Sequence, residues 1–234
     1  MPETRILAVN GSERGEKGTT FAVLQHCAEL AQNRGMEFKT LNLADYSFSS
    51  CGPCGNCNTR TEMCSLQDEA PKIVAELTAA DAVILASPVQ GFATVPLMSA
   101  FIERIGVGYL RFGRPLTNKV GAAIVVGRRY GHTDVYSHLI SNVLLNRMIV
   151  AGAGFPPTVY AGSPEEIAQD PEGMDMVDRA MFRLMDLVEL LQKHQALTRA
   201  PAMVPESDNE RSRVWSETAG DRSTLLIDAA KVKG

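Results

Sequence analysis

The sequence has no apolar run long enough to cross a bilayer, so it offers no membrane-spanning helix. It also has no long run of lysine and arginine, and its formal net charge is −4. Both observations argue against sequence-independent binding to nucleic acid. Two familiar phosphate loops are missing. G-x-x-x-x-G-K-[ST] does not occur, which disfavours a nucleoside triphosphate, and G-x-G-x-x-G does not occur, which disfavours a dinucleotide. There is no G-x-S-x-G, and no carboxylate–histidine spacing supports a hydrolytic site. No internal repeat is present. Residues 1–10 lead directly into an apolar segment without a charged-then-apolar leader, so the expected location is the cytoplasm.

What remains is an ordinary globular composition, 45% hydrophobic and 21% charged, in 234 residues. That length supports one core with an extension: a domain over 1–195 with a cysteine-bearing loop at 44–66, then a tail over 196–234. The single Trp215 favours a tail that packs as an oligomerisation arm, because disordered segments hold few aromatics. Apolar segments at 5–10, 37–43, 82–86, 119–126 and 154–160 read as strands. Helical spacing falls between and after them, at 19–33, 73–80, 96–105, 134–149 and 174–195, and Pro96 suits a first helical turn. Strands this apolar, alternating with helices, predict an α/β fold with a parallel sheet covered on both faces.

Two loops carry chemistry. The first runs from Asn10 to Thr20 and joins the first strand to the first helix. Its glycines and hydroxyls let amides turn inward, it leads into a helix N-terminus, and Arg14 adds a positive charge. With the triphosphate and dinucleotide loops excluded, a monophosphate such as that of FMN fits, although a plain polar loop reads equally well from these residues alone. The second loop holds Cys51, Cys54, Cys57 and Cys64 in the spacing C-x2-C-x2-C-x6-C. In a reducing compartment such a group is a metal site or a set of redox thiols. Three thiolates at this spacing reach corners of one iron–sulfur cluster, with Cys64 free to supply the fourth. Zinc, which favours two C-x2-C pairs over a longer span, and redox thiols stay open. Cys27 lies on the apolar side of the first helix and reads as a buried residue.

The N-G-S-x-R…T-T loop, the cysteine cluster, Ser87-Pro-Val89 followed by Ala100-Phe-Ile-Glu-Arg104, and Gly121 to Gly127 before Arg128-Arg-Tyr-Gly-His132 occur in this order over 5–195. With them the chain resembles the NADPH-dependent FMN reductase superfamily and is similar to its iron–sulfur flavoprotein branch. The resemblance implies a flavodoxin-like, doubly wound, five-stranded parallel sheet of order 2-1-3-4-5 in a three-layer sandwich. It implies FMN as cofactor, with Ser12, Arg14, Thr19 and Thr20 around its phosphate. Pro88, Val89, Gln90, Gly91 and Phe92 would lie against the ring and ribityl chain, and Gly127, Arg128, Arg129, Tyr130 and Gly131 at the ring's other edge. It further implies a [4Fe-4S] cluster on Cys51, Cys54, Cys57 and Cys64, and a homodimer or homotetramer. The sequence departs from the family at Gln90, where an aromatic is common, and at Glu13, where proline is common.

The function so implied is an FMN-dependent oxidoreductase that moves electrons between NAD(P)H or a protein donor and an acceptor such as a quinone, a flavin or an oxygen species. A non-enzymatic electron carrier or redox sensor, or a zinc-stabilised flavodoxin-like module, are the alternatives. His132 falls in an expected flavin loop, whereas His26, His138 and His194 read as surface or packing residues. Arg128, Arg129 and Tyr130 could face an anionic co-substrate, a solvated surface or a subunit interface.

Overall fold

A computed structural model describes residues 4–52, 64, 66–110 and 114–203. Its sheet contains strands β1 (Arg5–Asn10), β2 (Glu37–Asn42), β3 (Ala82–Gln90), β4 (Ala93–Thr94), β5 (Val120–Gly127), β6 (Ile149–Val150) and β7 (Thr158–Tyr160). The helices are α1 (Thr19–Asn33), α2 (Ala70–Ala79), α3 (Pro96–Phe101), α4 (His132–Leu145) and α5 (Pro171–Thr198). The main path of the sheet is β2-β1-β3-β5-β6, all parallel, which is the expected doubly wound order. The expected fifth strand over 154–160 is reduced to β7, while β6 forms at Ile149–Val150, just after the helix expected to reach 149 ends at Leu145; both pair with β5 at different points along it. Gly152 and Gly154, together with Pro156 and Pro157, break the segment between them.

The two faces follow from the period of two along each strand. Leu7, Val9, Val83, Leu85, Ala123 and Val125 point to the side covered by α2, α3 and α4. Ile6, Ala8, Ile84, Ala86, Ala122 and Ile124 point to the other side, against Val23, Leu24 and Cys27 of α1 and Val177, Met181 and Leu184 of α5. Cys27 is fully buried as expected, and burial pushes its thiol far up from the ordinary value. Gly121 lets α4 approach β5, since a Cβ there would come within 2.6 Å of Val143 Cγ1. Lys119, just before β5, donates to the carbonyls of Thr78 and Ala80 at 2.5 and 2.6 Å. It thereby closes the C-terminal end of α2, where a cation is favoured.

Two details were not in the sequence reading. β3 continues through Ser87-Pro88 to Gln90 and turns back into β4, with Gly91 and Phe92 at φ +56° and +66°. Two successive positive φ values make the tight hairpin turn that suits twisted strands. The helix expected over 96–105 gives way after Phe101 to a π-helical stretch, Ile102–Val107. Gly106 in that stretch allows Asn142 of α4 to come close, as a Cβ would lie 2.1 Å from its Nδ2. Among the described residues no helix is long and apolar enough to cross a membrane. The tail from 204 onward, Trp215 included, lies outside the described residues.

Leu184 is completely buried where α5 meets the sheet. Leu184→Ala is expected to lower unfolding free energy by about 2–5 kcal/mol, read by chemical denaturation with an unchanged m-value.

Candidate functional site: a cavity at the carboxyl ends of the strands

β1 ends on Asn10, which is wholly buried and cannot be hydrated. Its side chain is therefore satisfied internally. Oδ1 accepts the Ser12 amide at 3.0 Å, and Nδ2 donates to Asn42 Oδ1 at 3.0 Å, which ties the loop to the end of β2. The loop then makes one short 3₁₀ turn, Gly15–Lys17, with Gly15 at φ +53°. It closes against itself at Gly18, where a Cβ would stand 2.7 Å from Ser12 Oγ. Gly18 caps α1 without any side-chain partner for the first-turn amides. Those amides and the helix dipole leave a site that favours an anion.

A cavity of about 430 Å³ opens in front of this loop. Ser12, Arg14, Thr19 and Thr20 line it from the β1 loop, together with Glu13. Pro88, Val89 and Gln90 come from the end of β3, and Gly127 and Arg128 from the end of β5. Of the remaining expected residues, Arg129 and Tyr130 line a second cavity of about 320 Å³ with Val89 and Arg128. Phe92 and Tyr130 are more than half exposed and stack on each other at 4.2 Å. Gly91 forms the hairpin turn, and Gly131 packs on Phe92, whose Cα a Cβ at Gly131 would approach to 3.0 Å. The β3 and β5 loops therefore touch each other across the mouth of the site.

Ala161 and Gly162, after β7, also line the main cavity, and the sequence reading did not include them. Their signal was a glycine two residues after a strand end, the kind of signal that marked the other loops. Asp170 holds this segment in place, accepting the amides of Tyr160 at 2.7 Å and Gly173 at 3.0 Å. His132 opens α4 and is buried. Its ring lies 4.0 Å from that of Tyr160, and it packs so tightly on Gly127 that a Cβ there would be 2.9 Å from Nε2. It stands behind the cavity wall and does not line it. His26 bonds Asp178 at 2.6 Å and joins α1 to α5, while His138 contacts Thr94 at 3.2 Å.

The cysteine loop is anchored at both ends. The Ser47 amide donates to Glu69 Oε2 at 2.7 Å, and the Glu69 amide donates back to the Ser47 carbonyl at 3.0 Å. The Ser49 amide donates to Asp68 Oδ2 at 3.3 Å. Cys51 and Cys64 are half-buried, and Cys64 packs against the core under α3. Cys54 and Cys57 lie outside the described residues, and among the described residues no three metal-ligating side chains gather. Arg104, from the π-helical stretch, faces this loop with a side chain only 1% exposed. Its Nε–H donates to Cys64 Sγ at 3.0 Å, and its two Nη groups grip Asp68 at 2.9 and 3.1 Å. Burial alone would raise the Asp68 carboxyl. The Arg104 bonds and the amides of Ala70 and Ser49 outweigh it and hold the group below its usual range.

The fold and the cavity define a flavodoxin-like α/β protein with an anion-favouring loop at the carboxyl edge of a parallel sheet. The chain belongs to the NADPH-dependent FMN reductase family, whose pattern it matches over residues 4–160. It is accordingly an FMN-dependent oxidoreductase. Two of the relatives it is similar to are named iron–sulfur flavoproteins. An iron–sulfur flavoprotein of Methanocaldococcus jannaschii is 28% identical over 196 residues, covering 81% of this chain and 100% of the relative. Another, from Methanosarcina thermophila, is 29% identical over 194 residues, covering 82% and 98%. Among solved structures, RosB with a bound 8-demethyl-8-formylriboflavin-5'-phosphate superposes with a TM-score of 0.65 at 16% identity, over 88% of this chain and 92% of its own. A WrbA-like flavodoxin from Agrobacterium tumefaciens superposes at 0.53 with 11% identity, over 82% and 99%. These two structures speak to the fold.

Asp68→Asn removes a carboxylate from a fully buried guanidinium. Breaking such a pair costs about 3–5 kcal/mol when both partners are buried, and Asp68 is 15% exposed, so a loss on the order of 2 kcal/mol is expected at neutral pH. Because the folded pKa is depressed, the stabilisation is complete above the ordinary value of 3.8 and is lost as pH falls through the folded value. Denaturation midpoints measured from pH 7 to pH 2 are therefore expected to converge for the two proteins in acid.

Proposed function

We propose that the cavity holds FMN by its phosphate at the β1 loop, and that the cysteine loop holds an iron–sulfur cluster. The observation that carries the first part is the uncapped start of α1, with Ser12, Thr19, Thr20 and Arg14 converging on one opening. The room fits a cofactor of this size, since ligand sites of a few hundred Å³ are usual. Among the described residues Arg14 forms no ion pair and is available to a phosphate. Pro88, Val89 and Gln90 from β3 and Gly127 and Arg128 from the neighbouring β5 would flank the ring. Gly91, Phe92, Arg129, Tyr130 and Gly131 form the rim. When bound, FMN supplies hydride acceptance and single-electron transfer. The chain's part is to fix the phosphate, exclude water along the Val89 and Val126 wall, and present backbone amides of glycine-rich loops to the ring edge.

For the second part, the donor set fits a thiolate-bound metal centre. The Cys64 sulfur is half-buried, accepts an N–H from a buried guanidinium at 3.0 Å, and shares its loop with Cys51, Cys54 and Cys57 in a spacing suited to one metal centre. Cys51, Cys54, Cys57 and Cys64 are the ligands in this reading, and a [4Fe-4S] cluster bound there exchanges single electrons. The reaction class is electron transfer from NAD(P)H or a protein donor to a quinone, flavin or oxygen species.

Anaerobic purification with absorption spectroscopy and flavin, iron and sulfide analysis tests both parts. One FMN and about four irons per chain are expected, with Cys54→Ser losing the iron and keeping the flavin. Full iron retention in that variant would refute the ligand assignment. Arg14→Gln is expected to weaken FMN binding about tenfold, the lower end for a charge-assisted hydrogen bond at an exposed site. Calorimetric or fluorescence titration of the apoprotein reads this directly, and an unchanged affinity would remove Arg14 from the site.

A further inference from the structure

Among the described residues Arg104 is the largest side chain that is fully buried, and it does not line the cavity. A buried cation persists only where every donor is matched. Here Asp68 takes the two outer nitrogens, the Ser49 carbonyl takes Nη1 at 2.8 Å, and Nε–H is left to Cys64 Sγ at 3.0 Å. The planar fork makes this a fixed arrangement, because gripping Asp68 at the outer end sets the direction of Nε–H. Asp68 is itself held by the amides of Ser49 and Ala70, so its orientation does not depend on Arg104 alone. The π-helical stretch supplies the backbone offset that brings Arg104 under the loop, and such stretches are often found at functional sites. Ser49, Cys64 and Asp68, distant from Arg104 in sequence, thus converge on one guanidinium.

Resting on the cluster reading above, we propose that Arg104, locked by Asp68, is a positioning residue that holds the Cys64 sulfur in place as the fourth ligand and raises the reduction potential of the cluster through its Nε–H. Hydrogen bonds to ligand sulfurs withdraw electron density and favour the reduced, more negative cluster. Asp68 neutralises the guanidinium charge, so the sulfur receives a directed N–H more than a bare cation. The effect therefore depends on the fork and not only on positive charge. Lysine, a point charge on a flexible stem, cannot reproduce it.

The test is an anaerobic redox titration of the holoprotein and of Arg104→Gln and Arg104→Lys, following cluster absorbance, with retained FMN as the measure of folding. For Arg104→Gln the equilibrium constant for one-electron reduction is expected to fall at least tenfold, a shift of about 59 mV toward more negative potential. Arg104→Lys is expected to shift in the same direction by less. If Arg104→Gln fails to retain FMN, Arg104→Lys decides alone. An iron-loaded variant whose midpoint coincides with that of the unaltered chain overturns the role of Arg104 and leaves the cluster reading intact. An unaltered chain that holds FMN but no iron overturns both.

Discussion

Asn10 sits where an inner strand of a doubly covered sheet runs out, without access to water. Backbone and side chain must be satisfied there by protein alone, and few arrangements do so. The bond to Asn42 couples the ends of β1 and β2, and the bond from the Ser12 amide sets the direction in which the chain leaves. Everything downstream inherits that direction: the short turn, the contact of Gly18 with Ser12, and the aim of the open end of α1. An anion site made of amides has no flexible side chain to correct an error in backbone position. The precision has to be built in at the strand end.

The same logic explains why the sheet order matters more than any one residue. A parallel sheet puts every strand's carboxyl end at one edge, so loops far apart in sequence meet without further instruction. The β3 and β5 loops go further and touch, because Gly131 admits the backbone of Phe92. The Phe92–Tyr130 stack then bridges them on the outside. Phe92 carries a positive φ, which costs a non-glycine residue about 1–2 kcal/mol. The stack, worth about 0.5–1.5 kcal/mol, offsets much of that strain.

The period-two pattern of β1, β3 and β5 made the two-faced sheet legible, and glycines at strand ends made three of the cavity's loops legible. The fourth, at Ala161 and Gly162, follows a strand end that was also legible at Tyr160, but nothing local showed that this edge strand, three residues long, brings its loop to the same cavity. The β3–β4 hairpin was hidden because Ser87-Pro88 looks like a stop. A proline survives in that strand because β3 pairs with β5 through the register Pro88↔Val126 while the hairpin takes over the rest. Arg104 was visible as part of a recurring segment, but not its task. Its partners Ser49, Cys64 and Asp68 lie 55, 40 and 36 positions away, and no local pattern encodes a contact of that kind. The [4Fe-4S] set could be read only as a spacing.

The paired bonds between Ser47–Ser49 and Asp68–Glu69 separate the cysteine segment from the sheet mechanically. With both feet clamped and Cys64 held by Arg104 and the core, a longer span would cost about 0.6 kcal/mol of closure entropy for each doubling of length. The segment is therefore a cassette. As long as the Cys64–Arg104 contact is kept, residues between the clamps could be added or exchanged while β2, α2 and the cavity beyond them keep their geometry, which makes the segment a natural place to graft a new metal centre onto an unchanged scaffold.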